Sequence, residues 1–118
     1  MSTANAMSLI DADELLARCM GNSALVEKLL KALSSSLPVE QQSLQVAVQV
    51  DDLVSVARIA HKMKGTAANM CAKRLAAVAH DVEQAARSNQ IDIVAQRWFD
   101  LKFQIENLLD SLSAPDSN

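Results

Sequence analysis

Val94, Trp98, Leu101, Ile105, Leu108 and Leu112 follow one another at alternating intervals of four and three. That spacing is the apolar seam of a helix packed against other helices, and a strand cannot gather it onto one face. It predicts a long helix from about Asp92 to Leu112. Because an isolated helix is marginal in water, it also predicts partners for that helix, and hence a bundle. Aromatic strand formers and turn glycines are scarce in the remainder. The 118 residues include no tyrosine, two phenylalanines and two glycines, so there is little from which to build a sheet and its turns. Val46-Ala47-Val48-Gln49-Val50 alternates briefly. It is the one candidate strand, but it continues a helical pattern and reads as helix.

Five further helical segments precede the long one. The first runs from about Asp11 to Met20, with Asp11 and Glu14 spaced as a capping box. Gly21-Asn22 closes it and can cap the next segment. The second covers about Ser23 to Ser35, with Leu25, Val26, Leu29, Leu30 and Leu33 inward. Proline is tolerated in a first helical turn and not in an interior. Pro38 is therefore expected to open a third segment ending near Val50, with Leu37, Leu44, Val48 and Gln41 on its inner face. Asp51 is expected to cap a fourth, about Asp52 to Met70. The fifth runs from about Ala72 to Ser88, with Leu75, Val78, Ala79, Val82 and Ala86 inward and a tight Ser88-Asn89-Gln90 connection. Short connections favour antiparallel neighbours. The expected fold is an all-α antiparallel four-helix bundle starting at Pro38, with additional short N-terminal helices.

The length fits one domain, assigned to residues 8–113, with a loose leader over 1–7 and a frayed tail over 114–118. Net charge is −3 without clustered lysine and arginine, which speaks against a nucleic-acid surface. Half the residues are hydrophobic, which speaks against disorder. Cys19 and Cys71 are far apart in the chain, match no metal-ligand spacing and read as free thiols. No apolar run approaches the roughly 18 residues of a spanning helix, and the N-terminus lacks the pattern of a signal peptide. A cytoplasmic monomer with no membrane insertion, no cofactor and no metal is expected.

Chemistry concentrates in Ala60-His61-Lys62-Met63-Lys64-Gly65. Leu53, Val56, Ala60, Met63 and Ala67 form the apolar stripe of this segment, and His61 points roughly 100° away from its middle. Its surface neighbours are Ala57, Lys64, Gly65 and Ala68, all small except the lysine. Glycine costs an alanine-rich helix about 1 kcal/mol, so Gly65 reads as cleared space. A nucleophile, a cation one turn away and room for a bulky partner account for the pattern. The competing reading is a histidine at a helix–helix boundary, where small neighbours admit another helix.

The residues from Ala60 to Glu83 resemble a histidine phosphotransfer (HPt) domain, the family that carries phosphoryl groups between receiver domains in multistep two-component signalling. The resemblance rests on His61, Lys64 and Gly65, continues through Thr66, Ala67, Ala68, Asn69, Met70 and Leu75, and ends on Glu83. More weakly it covers about Asp11 to Leu112, with family-like Asp51-Asp52 and Asn89-Gln90. Cys71 departs from it, since the family usually has glycine there. Cysteine adopts a left-handed backbone less cheaply, so either a negative φ or a redrawn helix end is expected.

The resemblance implies a phosphorelay intermediate that takes a phosphoryl group on His61 Nε2 from a receiver aspartate and passes it to a second receiver. The partners would be receiver domains of a hybrid sensor kinase and of a response regulator. Lys64 would stabilise the phosphoryl oxygens. Ala57, Arg58, Lys62, Gly65 and Ala68 would form the docking surface, with Asn69 and Glu83 in support. Any metal would come with the receiver. No glycine-rich phosphate loop is present, so autonomous kinase activity is not expected. The alternative is a noncatalytic helical adaptor that binds receivers. A diiron bundle is disfavoured, because Glu27, Glu40, Glu83 and Glu106 lack the paired Glu-x-x-His arrangement. His80 reads as a solvated or boundary residue, Trp98 as core, and Asp81 has no pattern that makes it catalytic.

Overall fold

The structure is a computed structural model and describes residues 9–113. The leader assigned to 1–7 and the tail assigned to 114–118 lie outside the described residues. Among the described residues there are five helices and no strand: α1 (Ala12–Arg18), α2 (Ser23–Gln49), α3 (Leu53–Asn69), α4 (Lys73–Arg87) and α5 (Ile91–Ser113). Helices α2 to α5 form the expected all-α bundle. α4 packs on α3 and α5, and α2 closes the ring against the same two. The seam predicted for α5 is buried at Val94, Trp98, Leu101, Ile105 and Leu108. It meets Leu37, Leu44, Val56, Met63 and Val82 in one core. None of the described helices is long and apolar enough to cross a membrane.

Pro38 does not open a helix. α2 runs through it for 27 residues, merging the second and third predicted segments. An interior proline costs about 3 kcal/mol. Here the residue is exposed, so water can serve the carbonyl that loses its donor. Leu33, Leu37 and Leu44 are buried on either side of it. At roughly 1.5–3 kcal/mol for each buried leucine, one continuous stripe outweighs the break. Near the start of α2, Leu25 proves exposed rather than inward, while Val26 and Leu30 line an apolar cavity with Leu15, Leu16 and Leu112.

Four helix ends close in the same way. Met20, Asp51, Cys71 and Asn89 have φ between 55° and 59°. In each case the next residue's N–H reaches back to a carbonyl of the final turn, as in Ala72 to Ala67 and Asp52 to Ala47, both 2.9 Å. This is the Schellman closure. It assigns Asp51 to the end of α2, so Asp52 caps α3 in its place, accepting from the Ser55 N–H at 3.2 Å. Cys71 keeps the left-handed backbone that glycine would favour, at about 1 kcal/mol, rather than avoiding it. α1 lies across this end of the bundle. The Asp11 N–H donates to the Cys71 carbonyl at 2.9 Å, and Arg18 Nη1 donates to the Ala68 carbonyl at 3.1 Å. Glu14 pairs with Arg18 at 2.8 Å and Lys73 at 3.1 Å. Only half of the expected capping box therefore forms, namely the bond from the Glu14 N–H to Asp11.

Candidate functional site

His61 stands in the middle of α3, where Val56, Ala60, Met63 and Ala67 bury the opposite side of the helix. The rigid element fixes where its ring begins, and the offset from the apolar stripe leaves the side chain 62% exposed. The ring is nonetheless held. Its Nδ1 is 3.0 Å from Oε2 of Glu83, on the facing turn of α4. The Glu83 side chain is only 4% exposed, and Glu83 is the one buried charged residue among those described.

Three cations or potential cations converge on that carboxylate. Arg87, one turn further along α4, donates to Oε2 from Nε at 3.0 Å and lies within 2.9 Å of it through Nη2. Lys64 Nζ is 2.9 Å from Oε1, an ion pair that lies off the line of a well-formed hydrogen bond. Burial alone pushes the Glu83 carboxyl up. The contacts of Lys64, Arg87 and His61 outweigh burial and hold it down to about 2.

An ionised carboxylate can only accept. The proton of the neutral imidazole is therefore placed on Nδ1, facing Glu83, and the lone pair on Nε2. Nε2 is the nitrogen that the held ring turns away from the bundle. The arrangement thus sets both the tautomer and the aim of a nucleophile.

A stability prediction follows. The folded-state value of about 2 lies below the ordinary 4.5. The stabilisation is therefore present in full above about pH 4.5 and lost as pH falls through about 2. It is at most about 3 kcal/mol, reduced by the partial exposure of Lys64 and Arg87. Glu83→Gln is expected to flatten the fall of the melting temperature between pH 5 and pH 2, as thermal melts at several pH values will show. An unchanged acid profile would mean that this carboxylate is not held ionised.

The remaining candidates are distributed around this centre. Gly65, Ala68 and Asn69 continue along α3 on the exposed side. A Cβ built on Gly65 meets nothing within 4 Å. Ala57 is buried, and its remaining surface lies with His61 in a shallow groove that also includes Leu53, Val54, Ala86 and Arg87. Arg58 is exposed beside this groove. Lys62 turns toward α2, where its Nζ is 3.9 Å from Glu40. Glu40 is half-buried, and burial raises its carboxyl while Lys62 partly offsets the effect. His80 and Asp81 are exposed, and His80 Nδ1 lies 3.5 Å from Lys64. Cys19 and Cys71 are free and buried. Among the described residues no three His, Cys, Asp or Glu side chains gather as metal ligands.

Sequence reasoning missed Arg87. The signal was available as its spacing of four from Glu83, which places the pair on one helix face. α3 and α4 together carry Arg58, Lys62, Lys64, Lys73, Arg74 and Arg87 against only Asp81 and Glu83. Lys73 and Arg74 belong to the α1 end, where Lys73 pairs with Asp11 and Glu14, so the cations near His61 are Arg58, Lys62, Lys64 and Arg87, three of them paired with Glu40 or Glu83.

The family model described as Hpt domain matches residues 28–115. No curated protein and no solved structure matches the chain. The matched stretch takes in all of α3 and α4 with the His61–Glu83 pair, and the chain belongs to the Hpt domain family, whose members are phosphotransfer proteins of phosphorelays that work with receiver domains and are not autonomous kinases.

Proposed function

We propose that His61 accepts a phosphoryl group from the phosphoaspartate of a hybrid sensor kinase's receiver domain and passes it to the aspartate of a response regulator's receiver. The chain acts in the cytoplasm as a monomer. The observation that carries this reading is the exposed imidazole whose Nδ1 is held 3.0 Å from a buried carboxylate.

The Nε2 lone pair forms the P–N bond as the P–O bond to the receiver aspartate breaks, and the departing carboxylate keeps that electron pair. The ring then carries the phosphoryl group on Nε2 and a proton on Nδ1. It is a cation beside the Glu83 carboxylate, which stabilises it as charge develops. In the second transfer an aspartate oxygen forms the new P–O bond and the P–N bond breaks. The imidazole returns neutral with its proton still on Nδ1. No proton moves in either direction, so the relay needs no general base. Arg58, Lys62, Lys64 and Arg87 steer the acidic phosphorylation pocket of a receiver toward this face.

The test is incubation with candidate receivers carrying labelled phosphoaspartate. Label that moves to this chain, is lost in acid and survives base supports phosphohistidine. A chain that binds receivers without taking up label is the adaptor instead.

Lys64 has three rotatable donors and a flexible stem. In the free protein its Nζ rests on Glu83, and it turns to the phosphoryl oxygens as they arrive. Lys64→Ala is expected to slow transfer by about 10- to 100-fold, less than the loss of a fixed oxyanion donor, with receiver affinity nearly unchanged. Single-turnover rates at saturating receiver check it. A wild-type rate would remove Lys64 from the phosphoryl site.

A further inference from the structure

Both phenylalanines of the chain lie on the surface. Phe99 is 73% exposed and Phe103 59%, one turn apart on α5, while the single tryptophan, Trp98, is buried. At about 100° per residue, Phe99 and Phe103 stand roughly 140° and 180° from the middle of the buried seam of Val94, Trp98, Leu101, Ile105 and Leu108. They point away from the core. α5 packs on α2 and α4, and so does α3, so this face lies across the bundle from the helix of His61. The same face is acidic. Asp92 lies seven residues before Phe99 and Asp110 seven residues after Phe103, with Glu106 between. Each outer carboxylate is thus about 10 Å beyond a ring and nearly in line with it. All three acidic residues are exposed. Arg97 and Lys102 sit on the flanks of α5, roughly 60° and 80° from the seam, and Arg97 is paired with Asp100 at 3.4 Å. No lysine or arginine of α5 shares the face with the rings.

We infer that the outer face of α5 docks a basic amphipathic helix of a partner protein, apolar at its centre and carrying lysine or arginine at both ends. The inference does not depend on what His61 does. Two rings one turn apart leave roughly 250 Å² of aromatic surface in water, and apolar patches of a few hundred Å² are often functional. Charge complementarity selects the occupant. A second copy would meet this face with the same face in a twofold pair. Asp92, Glu106 and Asp110 would then oppose one another, and like charges in an interface repel wrong partners. A helix that lies on a lipid surface carries lysine and arginine around its apolar stripe, where this one carries acid. Residues 1–8 and 114–118 contain neither lysine nor arginine, so the chain's own ends supply no matching side-chain cation. A basic helix meets both demands. Its apolar side chains desolvate Phe99 and Phe103, where interface energy gathers, and its cations reach the carboxylates beyond each ring. A lysine or arginine over a ring face adds a cation–π contact. Asp92 to Asp110 spans about 27 Å, the length of about 18 residues of helix.

The probe is a synthetic amphipathic helix of about 18 residues, with leucines along the centre of one face and lysines toward both ends. The control is the same peptide with glutamate in place of every lysine. Binding is read from the backbone amide shifts of the isotope-labelled full chain. The lysine peptide is expected to give saturable shifts along α5 and none around His61, and the glutamate peptide to give none. The double variant Phe99→Gln, Phe103→Gln is expected to bind the lysine peptide at least about tenfold more weakly. Both positions are exposed and glutamine is a good helix former, so the variant folds. Phosphoramidate, a small phosphodonor that needs no docking surface, is expected to label His61 equally in the wild type and the variant. Absence of saturable shifts on α5, equal shifts with the glutamate peptide, or wild-type affinity in the double variant would overturn the docking site. Self-association of the wild type that the variant loses would overturn it in favour of a second copy. Binding to phosphatidylglycerol vesicles that the variant loses would overturn it in favour of a lipid surface. Loss of His61 labelling in the variant would also overturn it, because the aromatic pair would then act on the histidine rather than on docking.

Discussion

A His61→Gln protein is expected to take up no phosphoryl group from a phosphorylated receiver while keeping its helical signal and its melting temperature nearly unchanged. Two features separate chemistry from stability at this position. The side chain is 62% exposed, so little apolar burial is lost, and substitutions at such sites usually stay within about 0.5 kcal/mol. Glu83 also keeps Lys64 and Arg87 when the imidazole is removed, so no unpaired charge is left in the interior. Glutamine can still donate an amide N–H toward Oε2, but its nitrogen has no available lone pair and cannot attack phosphorus. The loss of transfer should therefore be complete rather than graded. The measurements are label uptake, far-ultraviolet circular dichroism and a thermal melt. Label still reaching this variant would show that another residue is the acceptor. His80 is then the first suspect, because it is exposed and its Nδ1 lies 3.5 Å from Lys64.

What could be read from residues alone follows from how local the governing interaction is. The α5 seam was legible because burial imposes a period on one helix, and Val94 through Leu108 are buried accordingly. The exposure of His61 was legible for the same reason, as an angle from the Leu53–Ala67 stripe. Pro38 was misleading. The local cost of the ring is visible in sequence, whereas the gain from an unbroken Leu33–Leu37–Leu44 face is visible only in the packed bundle. Asp51 and Asp52 are both acceptable caps, and the choice between them was made by the backbone of the preceding helix end, where φ is 55° at Asp51. Cys71 shows the same ordering, since closure of α3 onto α4 overrides the preference of a single residue. The position of Glu83 was indicated by resemblance, but its chemistry was not. The side chains that hold it come from two helices, and His61 and Glu83 lie 22 positions apart. Only the packing of α3 on α4 brings a depressed carboxyl and a fixed imidazole together.

Gly65→Glu is expected to nearly abolish productive docking of a receiver while leaving the protein at least as stable as the wild type. The stability half rests on the surroundings of the glycine. A Cβ at this position meets nothing within 4 Å, and the residue is exposed near the middle of α3. Nothing must move to admit a side chain, and glutamate is the better helix former by somewhat under 1 kcal/mol. The glycine is thus a cost to the isolated domain, and no contact within the described bundle compensates it. The compensation has to come from what approaches. Gly65 lies one turn beyond His61 on nearly the same face, about 6 Å along the axis, so a partner whose aspartate reaches Nε2 closes directly over it. A glutamate there fills that space. It also places a negative charge before the acidic pocket of a receiver, where like charges cost several kcal/mol. Receiver affinity should fall by about 100-fold or more, a larger loss than for Lys64→Ala, which removes charge compensation but spares the contact surface. The checks are receiver titrations and thermal melts on both variants, with phosphoramidate labelling to show that His61 remains reactive. Normal receiver binding by Gly65→Glu would move the docking face away from His61. An unfolded Gly65→Glu protein would mean that the small residues beside His61 serve helix packing, as the competing reading of the sequence holds.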